Sequence, residues 1–208
     1  MDGQSGALFS TYLLRRGYLS PKAVLSLGLW GLRYQLHLPH RQGLPREVIF
    51  ERLGHLDCDE VERIMRDFHD KVLLPRYRAD ALVEVGRRRE EGCVTLLVSA
   101  TFMAIAELGA AHLGMDGAVA TRMRRDATGH FTGEVEGSVV QGEEKVRAVA
   151  AWADEVYGAG AWTLAYAYGD HHSDEELLSS AESCFAVCPG QALKTIAKRN
   201  DWPILEWS

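Results

Sequence analysis

The sequence predicts an α/β fold in which a doubly wound, mostly parallel sheet follows an all-helical N-terminal region. Two observations carry this prediction. From about residue 75 onward, short apolar runs alternate strictly with amphipathic helical stretches, which is the pattern of parallel strands joined by helices. Before that point, apolar residues recur at spacings of three and four, which is typical of successive amphipathic helices. We therefore expect a helical domain over residues 1–74 and an α/β core over residues 75–208.

The composition is that of an ordinary globular protein. The chain has 208 residues, of which 47% are hydrophobic and 25% charged, with a net charge of −6. An acidic total without a long basic run argues against charge-driven binding to nucleic acid or to an anionic membrane, so we expect small-molecule or protein partners. Four unevenly spaced cysteines and the lack of a leader or an apolar span indicate a reducing, cytoplasmic location. The sequence leaves the oligomeric state open.

The helical region is expected to span residues 6–71. Its boundaries carry capping signals, because Ser20 precedes a proline that suits the first position of a helix. Asp57 or Asp59 can cap the fourth helix in the same way. The first third of the chain is therefore predicted to be all helical.

The second part begins with a helix at 79–91 that ends at Gly92 and leads into an unbroken apolar run at 93–98. Such a run predicts a strand that is buried on both faces, as in a parallel sheet. Residues 122–140 are rich in Gly and Thr and are expected to form a β-hairpin insert. The remaining predicted elements are a helix at 102–112, a strand at 118–121, a helix at 143–157, a strand at 162–168, a helix at 173–180, a strand at 184–187 and a helix at 191–198.

Three positions at strand ends or helix starts are candidates for binding, because ligands of doubly wound sheets lie beyond the carboxyl ends of the strands. The first is Ser99, with Ala100 after it. The serine hydroxyl and the backbone N–H groups that follow it would suit a phosphate oxygen at the start of a helix. The alternative is that Ser99 is simply a helix-capping residue.

The second position is the acidic cluster that follows the predicted strand at 162–168. Asp170 and Asp174 follow the carboxyl end of a buried strand, where a divalent cation would relieve the repulsion between their carboxylates. Oxygen ligands favour Mg²⁺ over zinc. The adjacent His171 and His172 lack a third ligand at the spacing of a zinc site. The alternative is a solvated helix N-terminus, where acidic residues are favoured.

The third position is Lys145, which opens a helix. A lysine there opposes the helix dipole and needs an anionic partner. The alternative is an exposed lysine that is balanced by Glu143 or Glu144.

These three positions, in this order, resemble the later motifs of the haloacid dehalogenase-like phosphohydrolases, most closely the branch that contains phosphoserine phosphatase. The resemblance extends over residues 75–208 and makes the helical first third the cap of a Rossmann-like core. The family's second motif is a strand ending in Ser or Thr, its third is a Lys that opens a helix, and its fourth is Gly-Asp-x-x-x-Asp. The matching segments are Leu96-Leu97-Val98-Ser99-Ala100, Gly142-Glu143-Glu144-Lys145, Gly169-Asp170-His171-His172-Ser173-Asp174 and the tail around Val187-Cys188-Pro189-Gly190.

The resemblance implies Mg²⁺-dependent hydrolysis of a small phosphorylated metabolite through an aspartyl-phosphate. In that scheme Ser99 and Ala100 bind phosphoryl oxygens, and Lys145 offsets the charge on the nucleophile and the phosphate. Asp170 ligates Mg²⁺, and Asp174 orients Lys145 or a metal-bound water. By its place after the first motif, Asp2 would contact the substrate.

This sequence departs from the family at the first motif, Asp-x-Asp-x-Thr/Val at the end of an apolar strand, which supplies the nucleophile and is absent here. The chain opens at Met1-Asp2-Gly3, which resembles the segment just after that motif. Our interpretation is an N-terminal truncation, caused by a start codon assigned at an internal methionine or by trimming of the chain. We expect the 208-residue chain to have negligible turnover. The alternative is a non-catalytic phosphate-binding or scaffold protein. In either case, we expect the strands led by Val94 and Leu164 to lack their shared neighbour.

Overall fold

The computed structural model describes residue 3, residues 5–35 and residues 44–208. Its contacts divide the chain into two compact units. The first unit comprises Met1–Tyr77 and Arg122–Gly137, and the second comprises Arg78–Thr121 and Ser138–Ser208. The expected boundary at 74/75 therefore lies three residues before the one that these contacts give. Most of the expected hairpin insert at 122–140 groups with the helical unit rather than with the α/β unit.

The described part of the first unit contains four α-helices, and the helical N-terminal region predicted from the sequence is present. The Ser20 hydroxyl accepts a hydrogen bond from the backbone N–H of Ala23 at 3.2 Å, so it caps the second helix. The last helix continues into a π-helical turn, His69–Leu73, and a 3-10 turn, Leu74–Arg76. The helices are α1, Ser5–Arg15; α2, Pro21–Gln35; α3, Leu44–Leu53; and α4, Cys58–Phe68. The most fully buried side chains of these helices include Phe9, Leu13, Leu53, Val61 and Phe68.

A β-hairpin completes the first unit by packing on α3. Strand β3, Phe131–Glu136, pairs antiparallel with the second half of a longer strand, Gly117–Arg125, which is named β2 below. A Cβ atom at Gly133 would lie 2.9 Å from the carbonyl oxygen of Phe50, and the φ of Gly133 is +80°. Glycine is therefore required where this strand meets the backbone of α3.

The second unit shows the strict alternation of strands and helices. Its first strand begins at Leu96 rather than at the predicted Cys93. The cause is Thr95, whose backbone N–H and hydroxyl both donate to Asp116 Oδ2 at 2.8 Å, so this residue is held by a side chain. The strands are β1, Leu96–Phe102; β2; β4, Tyr166–Gly169; β5, Ser183–Val187; and β6, Ile204–Leu205. The helices are α5, Ala79–Glu90; α6, Met103–Leu113; α7, Glu143–Tyr157; α8, Glu175–Ser179; and α9, Gln191–Arg199.

The strands form two separate three-stranded sheets. One has the order β1-β2-β3, with β1 and β2 parallel, and the other has the order β4-β5-β6, all parallel. Within the described residues β1 pairs only with β2, and β4 pairs only with β5. The prediction that the first strand is buried on both faces is wrong, because only Phe102 of β1 is buried and its other residues are half-buried. A strand with one neighbour keeps its other edge open.

The two sheets nevertheless share one hydrophobic core within the second unit. Leu96 and Val98 of β1 pack against the cluster that contains Ala167 of β4 and Val149 of α7. These two strands therefore bury side chains together without sharing backbone hydrogen bonds, as expected for strands that lack a common neighbour. Among the described helices of the whole chain, none combines the length and the apolar character that a membrane crossing requires.

Candidate active site

Asp174 is the centre of the candidate site. It ends the 3-10 turn His172–Asp174 and is 5% exposed. Its Oδ1 atom forms an ion pair with Nζ of Lys145, which is 8% exposed. Its Oδ2 atom accepts hydrogen bonds from the backbone N–H groups of Asp170, at 3.2 Å, and His171, at 3.1 Å. One buried carboxylate thus fixes both the lysine and the loop that carries Asp170.

Lys145 reaches Asp174 from the first turn of α7. Gly142 precedes that helix with a φ of +59°, and its carbonyl oxygen accepts the backbone N–H of Lys145 at 3.0 Å. A buried ammonium group at a helix N-terminus is unfavourable unless a carboxylate compensates it. The alternative of an exposed lysine balanced by Glu143 or Glu144 is therefore wrong, since those two carboxylates pair with Arg147 instead.

Gly169 allows Asp174 to fold back over the end of β4. A Cβ atom at Gly169 would lie 2.7 Å from Cβ of Asp174 and 2.9 Å from its Oδ2 atom. No other residue leaves this space free, so the glycine of the Gly-Asp-x-x-x-Asp segment is needed for the position of the second aspartate.

His171 shapes the same loop, a role that the sequence did not reveal. Its Nδ1 atom accepts the backbone N–H of Ser173, while Asp174 accepts the N–H of His171, which together form a reciprocal capping box. Burial, followed by the proximity of His172, lowers the pKa of His171. In the part of the chain that the structure describes, no three His, Cys, Asp or Glu side chains form a metal-binding group.

Asp170 has the features of a cation ligand. Its backbone carbonyl oxygen accepts the N–H of Gly190 at 3.1 Å, which ties the loop after β4 to the loop after β5. Asp170 is an exposed residue, yet the protein atoms packed around its carboxyl group, followed by the negative charge of Asp174, raise the pKa of that group. This carboxylate forms no hydrogen bond or ion pair with the described residues, so it can donate oxygen atoms to a bound cation.

Ser99 and Ala100 lie at the carboxyl end of β1. The Ser99 hydroxyl accepts the backbone N–H of Thr101 at 3.2 Å, and no hydrogen bond joins it to the Lys145 pair within the described ranges. The helix after β1 begins at Met103 with Phe102 as its N-cap, so the alternative of Ser99 as a helix-capping residue is wrong. The carbonyl oxygen of Ala100 accepts the hydroxyl of Thr121 at 3.1 Å.

The remaining predicted residue, Asp2, lies outside the described residues. The letters Asp57-x-Asp59-x-Val61 match the family's first motif, but Asp57 is the N-cap of α4 and the other two lie in its first turn. They begin a helix in the first unit and do not end a strand. This segment therefore does not replace the missing motif.

A second polar cluster, which the sequence did not predict, joins side chains of α5 to side chains of β4. Arg88 is 7% exposed, lies 3.4 Å above the ring of Tyr166 and donates to the Tyr168 hydroxyl at 2.8 Å. Hydrogen bonds from Arg87 and Tyr168 to Glu84 outweigh its burial and lower the pKa of that carboxyl to about 2. Burial raises the pKa of Tyr168 to about 12. The run of three arginines in α5, Arg87-Arg88-Arg89, gives no sign in the sequence that Arg88 is buried.

Known sequences match most of the chain. A sequence model of the haloacid dehalogenase-like hydrolases matches residues 1–179. The chain is 30% identical over 153 residues to the inhibition of morphological differentiation protein of Streptomyces azureus, covering 73% of this chain and 53% of that protein. It is 24% identical over 156 residues to the histidinol-phosphatase of Neisseria meningitidis serogroup C (strain 8013), covering 74% and 70%. The chain thus spans about half the length of the first relative.

Solved structures share the fold. A protein of unknown function from Bordetella pertussis Tohama I superposes with a TM-score of 0.85 at 23% identity, over 97% of this chain and 91% of that one. A phospho-aspartyl intermediate analogue of phosphoserine phosphatase gives a TM-score of 0.54 at 22% identity, over 78% and 70%. A probable phosphoserine phosphatase from Vibrio cholerae gives 0.65 at 15% identity, over 91% and 54%.

Proposed function

Because this chain belongs to the haloacid dehalogenase-like hydrolases, we propose that its fold is built for the Mg²⁺-dependent hydrolysis of small phosphomonoesters through an aspartyl-phosphate. The observation that carries the proposal is the buried ion pair of Lys145 and Asp174 beside the carboxylate of Asp170, which has no hydrogen-bond or ion-pair partner among the described residues. Removing two charges from water costs free energy that their attraction barely offsets, so a buried ion pair points to a role other than stability. We propose that this role is to bind a phosphoryl group.

Lys145 is the group that would neutralise the phosphoryl charge. Asp174 holds its ammonium group at the first turn of α7, and two backbone N–H groups hold Asp174 in turn. A fixed positive charge that is excluded from water stabilises developing negative charge without reorganising. The expected contribution of Ser99 and Ala100 is to bind phosphoryl oxygens at the end of β1.

Asp170 is the residue that would hold Mg²⁺. A divalent cation at this position would neutralise the phosphate and raise the electrophilicity of its phosphorus. The raised pKa of Asp170 fits this role, because a nearby cation offsets both the desolvation and the repulsion by Asp174. One carboxylate is less than the oxygen set that Mg²⁺ requires, so further ligands must come from water, substrate and the nucleophile motif.

The nucleophile would come from a strand that lies between β1 and β4. Both strands have an open edge within the second unit, and both pack on one core. In the family that this chain resembles, the missing motif lies on a strand between these two. We propose that the aspartate at the end of such a strand attacks the phosphorus atom, and that the chain without it has negligible turnover.

Two relatives with named activities support the proposed substrate class. Phosphoserine phosphatase and histidinol-phosphatase act on small phosphorylated metabolites. We propose a phosphomonoester of that size without choosing between the two.

The test compares two extended chains. In the first, an apolar strand ending in Asp-x-Asp-x-Thr precedes residue 3; in the matched control, the strand ends in Asn-x-Asn-x-Thr. We expect Mg²⁺-dependent hydrolysis of p-nitrophenyl phosphate only by the first, with loss of the rate in EDTA and in its Lys145→Met variant. Equal inactivity of the two folded proteins would overturn the enzyme proposal and favour a non-catalytic phosphate-binding or scaffold protein.

A further inference from the structure

Thr121 of β2 is a buried polar residue beside the carboxyl end of β1. It is 1% exposed. Its hydroxyl donates a hydrogen bond to the carbonyl oxygen of Ala100 at 3.1 Å and accepts the backbone N–H of Val140 at 3.2 Å. These three residues all lie in the second unit. One hydroxyl group therefore links the segment that contains Ser99 to the segment that leads into α7.

The link to Ala100 falls at an irregularity in the pairing of β1 with β2. The register pairs Ser99 with Ala120 and then Phe102 with Thr121, so two extra residues of β1, Ala100 among them, lie between these pairs. A bulge of this kind interrupts the ladder of backbone hydrogen bonds and bends the strand, and bulges are common beside active sites. The Thr121 hydroxyl gives the Ala100 carbonyl oxygen a donor within the bulge. The bond therefore fixes the peptide groups that follow Ser99.

The link to Val140 falls just before the helix that carries Lys145. Val140 is buried, and an N–H group that is buried without an acceptor costs free energy. The Thr121 oxygen is an acceptor for this group. Gly142 then turns the chain with its positive φ, and Lys145 follows in the first turn of α7. The same hydroxyl thus also fixes the start of the segment that places Lys145.

We propose that Thr121 is a positioning residue, which sets the distance between the segment Ser99-Ala100 and the ammonium group of Lys145. The inference rests on the proposed function, because it takes these groups to bind one phosphate. Thr121 acts through its neighbours and not by contact. Its single hydroxyl proton is donated to Ala100, so none remains for a phosphoryl oxygen. A displacement of about 1 Å at either segment would weaken the binding of a phosphate that both segments contact.

Thr95 provides a matched comparison at the amino end of β1. It is also buried, and its hydroxyl donates to Asp116 Oδ2 at 2.8 Å and accepts the backbone N–H of Asp116 at 3.3 Å. Each of the two threonine hydroxyls thus donates one hydrogen bond and accepts one backbone N–H. Thr95 precedes β1, however, whereas Ser99 lies toward the carboxyl end of that strand. A purely structural role for Thr121 would make the two hydroxyls equivalent in their effects.

The test measures phosphate binding and hydrolysis on the same variants. Thr121→Val, Thr121→Ser and Thr95→Val are made in the chain that is extended by the Asp-x-Asp-x-Thr strand. Valine keeps the branched shape of threonine without the hydroxyl, whereas serine keeps the hydroxyl. Isothermal titration calorimetry with Mg²⁺ gives the Kd of inorganic phosphate, p-nitrophenyl phosphate gives kcat and KM, and thermal melting gives the stability. Thr121→Cys, whose thiol is only a weak donor, replaces the valine variant if that variant does not fold.

We expect Thr121→Val to weaken phosphate binding and to lower kcat/KM by roughly tenfold or more, because misplaced groups lose much of their effect on a reacting phosphate. Thr121→Ser should stay within about threefold of the extended parent in both quantities, because serine can form both hydrogen bonds. Thr95→Val should melt at a lower temperature, as Thr121→Val does, but should keep the phosphate Kd of the parent. Equal Kd values for Thr121→Val and the parent, equal losses in the two valine variants, or no recovery in Thr121→Ser would overturn the inference.

The two readouts separate this inference from the proposed function. A parent that binds phosphate without hydrolysing the ester would contradict the proposed function, and the Kd values alone would then decide the role of Thr121. A parent that hydrolyses the ester as fast as Thr121→Val does would contradict only the role of Thr121. A parent that neither binds phosphate nor hydrolyses the ester would overturn both.

Discussion

The ammonium group of Lys145 and the carboxylate of Asp174 form an ion pair whose side chains are only 10% and 7% exposed. The two residues lie 29 positions apart, one at the start of α7 and the other after β4. The pair joins the helix to the loop that carries Asp170. It is therefore both a structural link and the charged centre of the candidate site.

The first prediction concerns this pair. Asp174→Asn removes the charge but keeps the size, which leaves the Lys145 ammonium group buried without a counterion. We expect a loss of about 3–5 kcal/mol in the free energy of unfolding, measured by urea denaturation. Arg147→Gln, which breaks an exposed pair with Glu143, is the control and should leave the free energy of unfolding nearly unchanged. Similar losses in both variants would contradict the assignment.

The second prediction concerns Gly169. A methyl group there would overlap Asp174, so Gly169→Ala should lower the free energy of unfolding by about 1–3 kcal/mol and displace the aspartate. The matched control is Gly86→Ala in α5, where no atom beyond the adjacent residues and the backbone of its own helix lies within 4 Å of the added Cβ. There the greater helix propensity of alanine should stabilise the chain by up to about 1 kcal/mol. Thermal melting gives both signs, and equal effects would rule out the close contact.

The third prediction is a pH dependence. Hydrogen bonds from Arg87 and Tyr168 lower the pKa of Glu84 from 4.5 to about 2 in the folded chain. The stabilisation is therefore present above the unfolded pKa and is lost as the pH falls from about 4.5 through about 2. Glu84→Gln should remove this acid-sensitive part, so its unfolding free energy should fall less over that range than that of the parent.

The control for Glu84 is Glu107→Gln in α6, at an exposed carboxyl group. Its pH curve should follow that of the parent. Parallel curves for the parent and Glu84→Gln would show that the carboxyl group is not stabilised in the folded state.

The fourth prediction concerns metal binding by the chain extended with the Asp-x-Asp strand. Mg²⁺ that binds only the folded state raises the melting temperature, and EDTA should reverse that rise. Asp170→Asn should abolish the rise, whereas Glu176→Gln, at an exposed carboxylate in the same segment, should retain it. A rise that is unchanged in Asp170→Asn would place the metal elsewhere.

The sequence predicted the elements better than it predicted their surroundings. Strict alternation identified the strands and helices, since hydrophobic periodicity is local. Whether Lys145 is exposed or buried depends on Asp174, which is distant in sequence, so both interpretations stayed open until the structure paired them. The role of His171 was hidden for a similar reason, because histidine is an unusual capping residue.

The largest difference from the sequence-based expectation concerns β1. An unbroken apolar run predicts burial on both faces. Burial also requires neighbours on both edges, and among the strands that the structure describes β1 pairs with β2 alone. Local sequence cannot report which strands are present beside it. The inward packing of Arg88 was equally hidden, because it depends on the ring of Tyr166.

A strand bearing the nucleophile is proposed to fit between β1 and β4, and amide hydrogen exchange can detect whether it does. The chain is compared with the chain extended by either strand, with exchange resolved over Leu96–Phe102 and Tyr166–Gly169 and with Ser183–Val187 as the internal reference. We expect both strand segments to exchange roughly tenfold or more slowly once the strand is added, because open edges become hydrogen-bonded. Unchanged exchange in both segments, with the reference also unchanged, would contradict it.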